Sequence, residues 1–504
     1  MGIIRQRKDD EIGLFGDRSE IGKPIGSDIR EGKKIPDTLA AGFQVRGTGG
    51  AARTPRLFSG QDTLNRIHYA QAMSAGPLPE KFRKNELPDR QEQIRATYAP
   101  QVEEWEAICP LSALDELSDI MVEGAIGSVP VPLGIAAGFL IDGEQLDIPM
   151  ATEEPSVIAA ATFAAKILRR SGGLVTWSDE SVMTSQVFLE AVSPEGESRL
   201  LQEQERIGVL VDSALSGMKA RGGGYRAMEL NRLPGSGILV VGLKIDVRDA
   251  MGANALNTAS ETVRPELERL SGGKAVMCIL SNAARDRRAG ARFVLPVSKL
   301  SALGPKGMGG EEVARRIVLA YRIAAEDEQR AITHNKGIMN GISAVVLATM
   351  NDTRAVEAAA HAWAVRSGHY RPLSRYALQD GAGDCPQEPA LAGEIELPLA
   401  VGGLGGAVGF HPASSLSLRV LGSPGARRLA QIMAAVGLAQ NFAAVLALVT
   451  GGIQRGHMKL HAGRLAYQAG ARGKEVRRVA DALAKEGRYS REQAVAILEQ
   501  LRRE

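Results

Sequence analysis

GILVVGLKIDVRDAMGANALN, residues 237–257, carries the chain from a strand into a helix. Val, Ile and Leu crowd Gly237–Val247, an Asp-Ala-Met-Gly turn interrupts them, and helical spacing runs from Asn254 to Leu270. On the N-terminal side, alternation predicts strands at Thr184–Val192 and Tyr225–Asn231, with a helix over Arg199–Lys219 between them. On the C-terminal side it predicts strands at Ala275–Ser281 and Ala291–Pro296. Strand–helix–strand–strand–helix–strand is the order of a ferredoxin-like unit, not the strand-by-helix alternation of a doubly wound sheet.

Around this unit the sequence predicts a helix opening at Pro155 and running to Arg170, and a strand at Gly173–Trp177. Residues 311–365 and 424–450 read as long aliphatic helices, and 456–504 as charged helices broken near Gly470–Gly473 and Gly487. The fold class expected is α+β, with a helical tail (455–504) and a turn-rich N-terminal stretch (1–60).

Composition narrows the function classes. The 504 residues are 44% hydrophobic, enough for full cores. Sixty-one basic against 58 acidic side chains give a net charge of +3, so no strong field invites nucleic acid or an anionic membrane. Cys109, Cys278 and Cys385 lie far apart without a CxxC pair, which excludes a disulfide scaffold or cysteine-rich zinc module and fits a reducing cytoplasm. The N-terminus has no apolar signal segment. Ile432–Ile453 is long enough to span a bilayer, but Gln440 and Asn441 near its middle point to a buried core helix.

Three stretches carry chemistry. Asp249-Ala250-Met251-Gly252, followed by Asn254 and Asn257, combines a helix N-terminus with a glycine that permits close approach, the ingredients of a phosphate site; an ordinary helix start uses the same residues. Arg330, His334, Lys336 and Asn340 cluster around Gly337, with Asp352 twelve residues beyond Asn340, and a lysine beside a carboxylate in a dry cleft would stabilise an oxyanion. Glu123 is a lone acid in an apolar run, a setting for a salt-bridged structural residue or an acid catalyst. His457 and His461 stand one helical turn apart, but no HExxH glutamate accompanies them, so no metal site is expected. Gly47–Ala52 and Gly402–Gly406 imitate nucleotide loops weakly; the second reads better as a tightly packed turn.

DAMGAN, THNKGIMNG with NDTRAVEA behind it, and GIQRGHMKLHA together resemble hydroxymethylglutaryl-CoA (HMG-CoA) reductases of the soluble bacterial type, class II, from about residue 110 to the end. The resemblance implies reduction of HMG-CoA to mevalonate and CoA by a nicotinamide cofactor, in a homodimer or higher oligomer with interfacial sites and a mobile C-terminal flap. It makes 61–149 and 283–454 one large helical and sheet substrate domain and 150–282 a smaller NAD(P)-binding domain inserted in it. Carried over residue by residue, Glu123 would be the proton donor, Lys336 the oxyanion-stabilising cation, Asp352 the carboxylate that orients it, and His457 the acid that protonates the leaving thiolate. Arg330, Asn340 and Gln440 match substrate-binding positions. Two departures stand out. Gly124 replaces the asparagine that follows the family's glutamate. Ser193 occupies the place of an aspartate that selects the free ribose hydroxyl in NAD-preferring members, and a serine would not repel a 2′-phosphate, so NADPH is expected to be favoured over NADH. The opposite, catabolic direction, oxidising mevalonate with NAD, and a catalytically dead scaffold are the competing expectations.

Residues 4–34 resemble something else: the second aspartate-rich region of trans-isoprenyl diphosphate synthases, with Asp9, Asp10 and Lys23 at its diphosphate–magnesium positions. One Asp pair cannot build that trinuclear metal site, so a fusion remnant or a misplaced gene start is expected rather than synthase activity. A neighbouring synthase gene would favour isoprenoid synthesis over mevalonate breakdown.

Overall fold

The computed structural model describes residues 129–381, 388–405, 408–451 and 453–503, with a few isolated positions between 85 and 122. Residues 4–34 and Glu123 lie outside the described residues.

Strands β1 (Leu133–Ile141) and β2 (Glu144–Ala151) form an antiparallel hairpin. Its two-residue turn is Asp142-Gly143, both at positive φ, the backbone twist that matches paired strands. Helix α1 (Val157–Leu168) packs against β1. Strand β3 (Val175–Ser178) then begins a second sheet, which is completed much later in the chain.

The inserted unit follows: β4 (Val182–Glu190), helices α2 (Pro194–Gln202), α3 (Gln204–Ala214) and α4 (Ser216–Ala220), β5 (Gly224–Arg232), β6 (Leu239–Asp246), α5 (Ala253–Ser271) and β7 (Lys274–Leu280). Its four strands are antiparallel in the order β5-β6-β4-β7, the ferredoxin-like arrangement read from the element order. β6 is central and almost wholly buried, which explains its unbroken apolar run. α3 and α5 cover the sheet and share with it a separate aliphatic core built on Val187, Val241, Leu256 and Val263. The predicted long helix Arg199–Lys219 is three shorter ones that turn at Glu203 and Leu215.

The chain re-enters the large domain through β8 (Arg288–Pro296). It continues with α6 (Gly310–Glu326), α7 (Glu328–Ala348), α8 (Thr353–Ala364), β9 (Ser374–Gln379), β10 (Ala390–Pro398), α9 (Pro412–Val420) and α10 (Ala426–Thr450). The tail is α11 (Ile453–Gln468), α12 (Lys474–Glu486) and α13 (Arg491–Arg503), with a small core of its own. The second sheet is β3-β8-β10-β9, antiparallel throughout.

This topology corrects one boundary. β3 pairs with β8, and α1 packs on β1 and α10, so both belong to the large core rather than to an inserted domain starting at 150. The insertion leaves after β3 and returns at β8, and Asp179 and Arg288 clamp the two ends with a 2.7 Å ion pair. The inserted unit therefore spans about 179–287.

α10 is long and apolar enough to cross a membrane, but its most apolar window is 78% buried in this fold. It is the central helix of the large core, packed on α7, α1 and the β8 sheet.

Candidate active site

Lys336 and Asn340 stand one turn apart on α7 and face the same cleft, a cavity of about 260 Å³. Its far walls are the Thr152–Glu154 segment after β2 and the face of α8 that carries Thr353, Glu357 and His361. Lys336 Nζ lies 2.8 Å from Glu154 Oε2, in an ion pair whose members are 61% and 34% exposed. His361 is bonded to Tyr370 Oη at 2.7 Å and lies 3.2 Å from Glu357. Ser343, one turn beyond Asn340, donates a short hydrogen bond to Glu357, joining α7 to α8.

The expected partner of Lys336 is corrected here. Asp352 makes no ion pair with it within the described chain; its Oδ1 caps α8 by accepting from Ala355 N at 3.0 Å. The reason is local: an aspartate directly before a helix finds the free N–H groups of the first turn within reach. Asp352 borders the cleft only through its neighbour Thr353. The carboxylate that holds Lys336 is Glu154, from Glu153-Glu154-Pro155, a segment that motif reading passed over because only its proline was informative.

The cluster around Gly337 divides between two faces of α7. His334 and Asn335 point into the core, where His334 Nε2 pairs with Ser374 Oγ at 2.7 Å, and Ser374 Oγ and Tyr376 Oη both donate to Asn441 Oδ1. Asn335 bonds the backbone at Arg371 and Leu373. Burial first, and then the Arg330 charge, push the His334 imidazole down to about 3, so it is neutral and structural. Arg330 lies in the first turn of α7, outside the walls of the cleft; desolvation lowers its pKa against the pull of Asp327. Gln440 is 5% exposed on α10, its Oε1 without a partner among the described residues. His457 is on α11 at a position whose side chain is outside the description.

The cofactor stretch also separates by role. Asp249 is a structural anchor: its Oδ1 accepts from Ala426 N at the start of α10, and its carbonyl accepts from Gly403 and Leu404. Asn257 Oδ1 accepts from Leu280 N and ties α5 to β7. The remainder fits an anion. Gly252 adopts φ +102°, caps α5 without a side-chain acceptor, and leaves the first N–H groups of that helix free of intrahelical partners. Asn254 is exposed beside them. Ala250 and Met251 offer their carbonyls to the buried guanidinium of Arg287, a residue the motifs did not signal. Ser193 caps α2 through Gly196 N at 3.2 Å and is exposed, while Arg232 bonds the carbonyl of adjacent Val192 and pairs with Glu197 at 2.7 Å. Among the described residues no group of three metal-ligating side chains forms.

Comparison with known proteins fits this layout. The family described as hydroxymethylglutaryl-coenzyme A reductase matches residues 86–462. The 3-hydroxy-3-methylglutaryl-coenzyme A reductase of Archaeoglobus fulgidus is 42% identical over 87% of this chain and 99% of its own. The probable reductase of Borreliella burgdorferi is 39% identical over 69% of this chain and 78% of its own. Among solved structures, a reductase from Streptococcus pneumoniae superposes with a TM-score of 0.69 at 38% identity, covering 84% of this chain and 99% of that one. A class II reductase from the same organism, bound to NADPH in open conformations, gives 0.68 at 38% identity, covering 74% and 99%. With a cationic lysine in a cleft, an anion-ready helix start on a ferredoxin-like unit, and this likeness along most of its length, the chain belongs to the hydroxymethylglutaryl-CoA reductase family, in its bacterial-type class.

Proposed function

We propose that the protein reduces HMG-CoA to mevalonate, releasing CoA, with NADPH favoured over NADH. The observation that carries this is Lys336 beside Asn340 in a cleft walled by the Thr152–Glu154 segment and α8. Conversion of a thioester to a primary alcohol takes two hydrides and two protons, and the carbon–sulfur bond breaks between the two reductions. The nicotinamide cofactor supplies the hydride when bound. Lys336 stabilises negative charge on the carbonyl oxygen as it develops, and Asn340 adds an amide to the same face. Glu154 keeps the ammonium oriented before substrate enters. Glu123 donates the proton to that oxygen, and His457, at the start of the C-terminal helices, protonates the departing thiolate. Asp352 acts from the start of α8 by orienting the lysine, and Arg330 and Gln440 serve substrate binding.

The cofactor seat is the turn from Ala250 to Asn254. The exposed Ser193 hydroxyl and nearby Arg232 suit a 2′-phosphate, whereas an aspartate at 193 would oppose it. The active unit is a homodimer working in the cytoplasm.

A nicotinamide absorbance assay with purified protein and HMG-CoA, run with each cofactor and paired with measurement of released CoA thiol, tests this reading. HMG-CoA-dependent oxidation with two cofactors consumed per CoA, and a higher kcat/KM for NADPH, is expected. No substrate-dependent oxidation with either cofactor would reject the activity, and a large NADH preference would reject the role of Ser193.

A further inference from the structure

We propose that Arg287 is a positioning residue that shapes the cofactor's diphosphate seat from beneath and ties it to the turn bearing Asp352. This rests on the cofactor seat proposed above. Arg287 is 5% exposed, and its acceptors are three backbone carbonyls: Ala250 and Met251 at 3.1 Å each, and Val401. The nearest acids are committed elsewhere, Asp246 to Arg226 and Arg248, and Asp249 to Ala426 N. Burial lowers the guanidinium to about 10, which leaves it charged at neutral pH.

Peptide geometry converts those bonds into a binding surface. In a trans peptide the C=O and N–H point in opposite directions, and this chain has no cis bond among the described residues. Turning the carbonyls of Ala250 and Met251 toward Arg287 therefore turns the N–H groups of Met251 and Gly252 away from it. Among the described residues the Gly252 N–H has no acceptor, whereas the Met251 N–H is taken up by the parallel bridge between Ala250 and Leu404, and the free N–H groups at the start of α5 continue the row from Gly252. Gly402 lets its segment close on the turn and brace it: a Cβ there would stand 2.7 Å from Met251 N. A row of outward N–H groups over a buried cation, at a positive helix end, favours a doubly charged diphosphate.

The same guanidinium reaches the catalytic side. Val401 precedes Gly402, which is held from both ends by Asn351: Gly402 N donates to Oδ1 at 2.7 Å, and Nδ2 donates to the Gly402 carbonyl at 3.1 Å. Asn351 is the residue before Asp352. Arg287 thus links the cofactor turn to the Asp352 turn through the Val401–Gly402 segment, which its guanidinium and the Asn351 amide both hold.

The test is equilibrium binding of NADPH to the full chain without HMG-CoA, read by cofactor fluorescence, alongside steady-state kinetics. Arg287→Met should raise the NADPH Kd about thirtyfold, the size of one lost charge-assisted contact. The KM for HMG-CoA should stay within about twofold, because the Asp352 turn keeps its own Asn351–Gly402 bonds when Arg287 is removed. Arg287→Lys, which keeps the charge and fewer bonds, should fall between, and millimolar guanidinium should partly restore binding to Arg287→Ala where sodium does not. Gly402→Ala, which leaves Arg287 intact, should weaken NADPH in the same direction. Asn254→Asp controls the seat itself, since an anion at that helix start suits the fold but repels phosphate. If Asn254→Asp weakens NADPH and the Arg287 variants bind as the parent does, the role of Arg287 is overturned. If none of the substitutions changes the Kd, the seat lies elsewhere and both readings fail. A Kd and a KM for HMG-CoA that worsen together, without guanidinium rescue, would mark Arg287 as merely structural.

Discussion

The two halves of the site are held by opposite means. The cofactor turn is clamped from inside: Arg287 is buried beneath it, Asp249 caps α10, and Asn351 pins the neighbouring glycine loop. The substrate lysine stands in the open, 61% exposed, with one carboxylate that is itself a third exposed. A buried cation acts through a low dielectric and needs no rearrangement to act on a ligand. An exposed ion pair is screened by water and contributes little until water is excluded. The half proposed for the cofactor is therefore preorganised by the fold, whereas the lysine proposed for the substrate is screened by water. On the substrate side, Arg464 of α11 donates to the carbonyl of Glu153, next to the carboxylate that holds Lys336.

Removing the cation should break this contrast most sharply. Lys336→Ala is expected to lower kcat by about 10³-fold, the scale for loss of a main oxyanion donor, while NADPH affinity stays near the parent value because the clamped half is untouched. Stopped-flow turnover with parallel cofactor titration measures both. Glu154→Gln should cost less, roughly tenfold in kcat, since it removes an orienting partner and leaves the cation in place. An unchanged kcat would show the Lys336–Glu154 pair to be incidental.

Two smaller effects probe the scaffold under the lysine. Asn441→Leu strips Ser374 and Tyr376 of their shared acceptor and should destabilise the fold by roughly 3 kcal/mol in denaturant melts. The effect of pH on stability is the smallest of these near neutral pH and grows on acidification. His334 is held neutral in the folded chain down to about 3, but in the unfolded chain it protonates near 6.5. Its stabilising contribution is present above that upper value and is lost as pH falls through the window toward the lower one. His334→Gln should flatten that part of the stability profile, and thermal melts at stepped pH would detect it.

Much of this was legible in the chain because its elements are strongly patterned. The ferredoxin-like order followed from alternation in β4 to β7 and from one uninterrupted apolar run, β6. Lys336 and Asn340 were singled out by the polar cluster around Gly337, but its division between two faces of α7 was not. The domain edge was not legible, because β3 is only four residues long and its partner β8 lies more than a hundred positions away. Glu154 and Arg287 were missed for the same kind of reason: a carboxylate before a proline and an arginine in a charged turn look like solvated surface until distant segments fold onto them.

By itself, the sequence determined the order of strands and helices in the inserted unit, the long helices of the large core, the α+β class, and the residue types that give the site its chemistry, since these depend on spacing along one element. Tertiary structure alone decided that the lysine rests on Glu154 while Asp352 caps α8, that Gly402 closes on the cofactor turn, and that a buried arginine supports that turn. Each of those contacts joins segments whose separation carries no periodic signal, so only the packing of the cores brings the partners within hydrogen-bonding range.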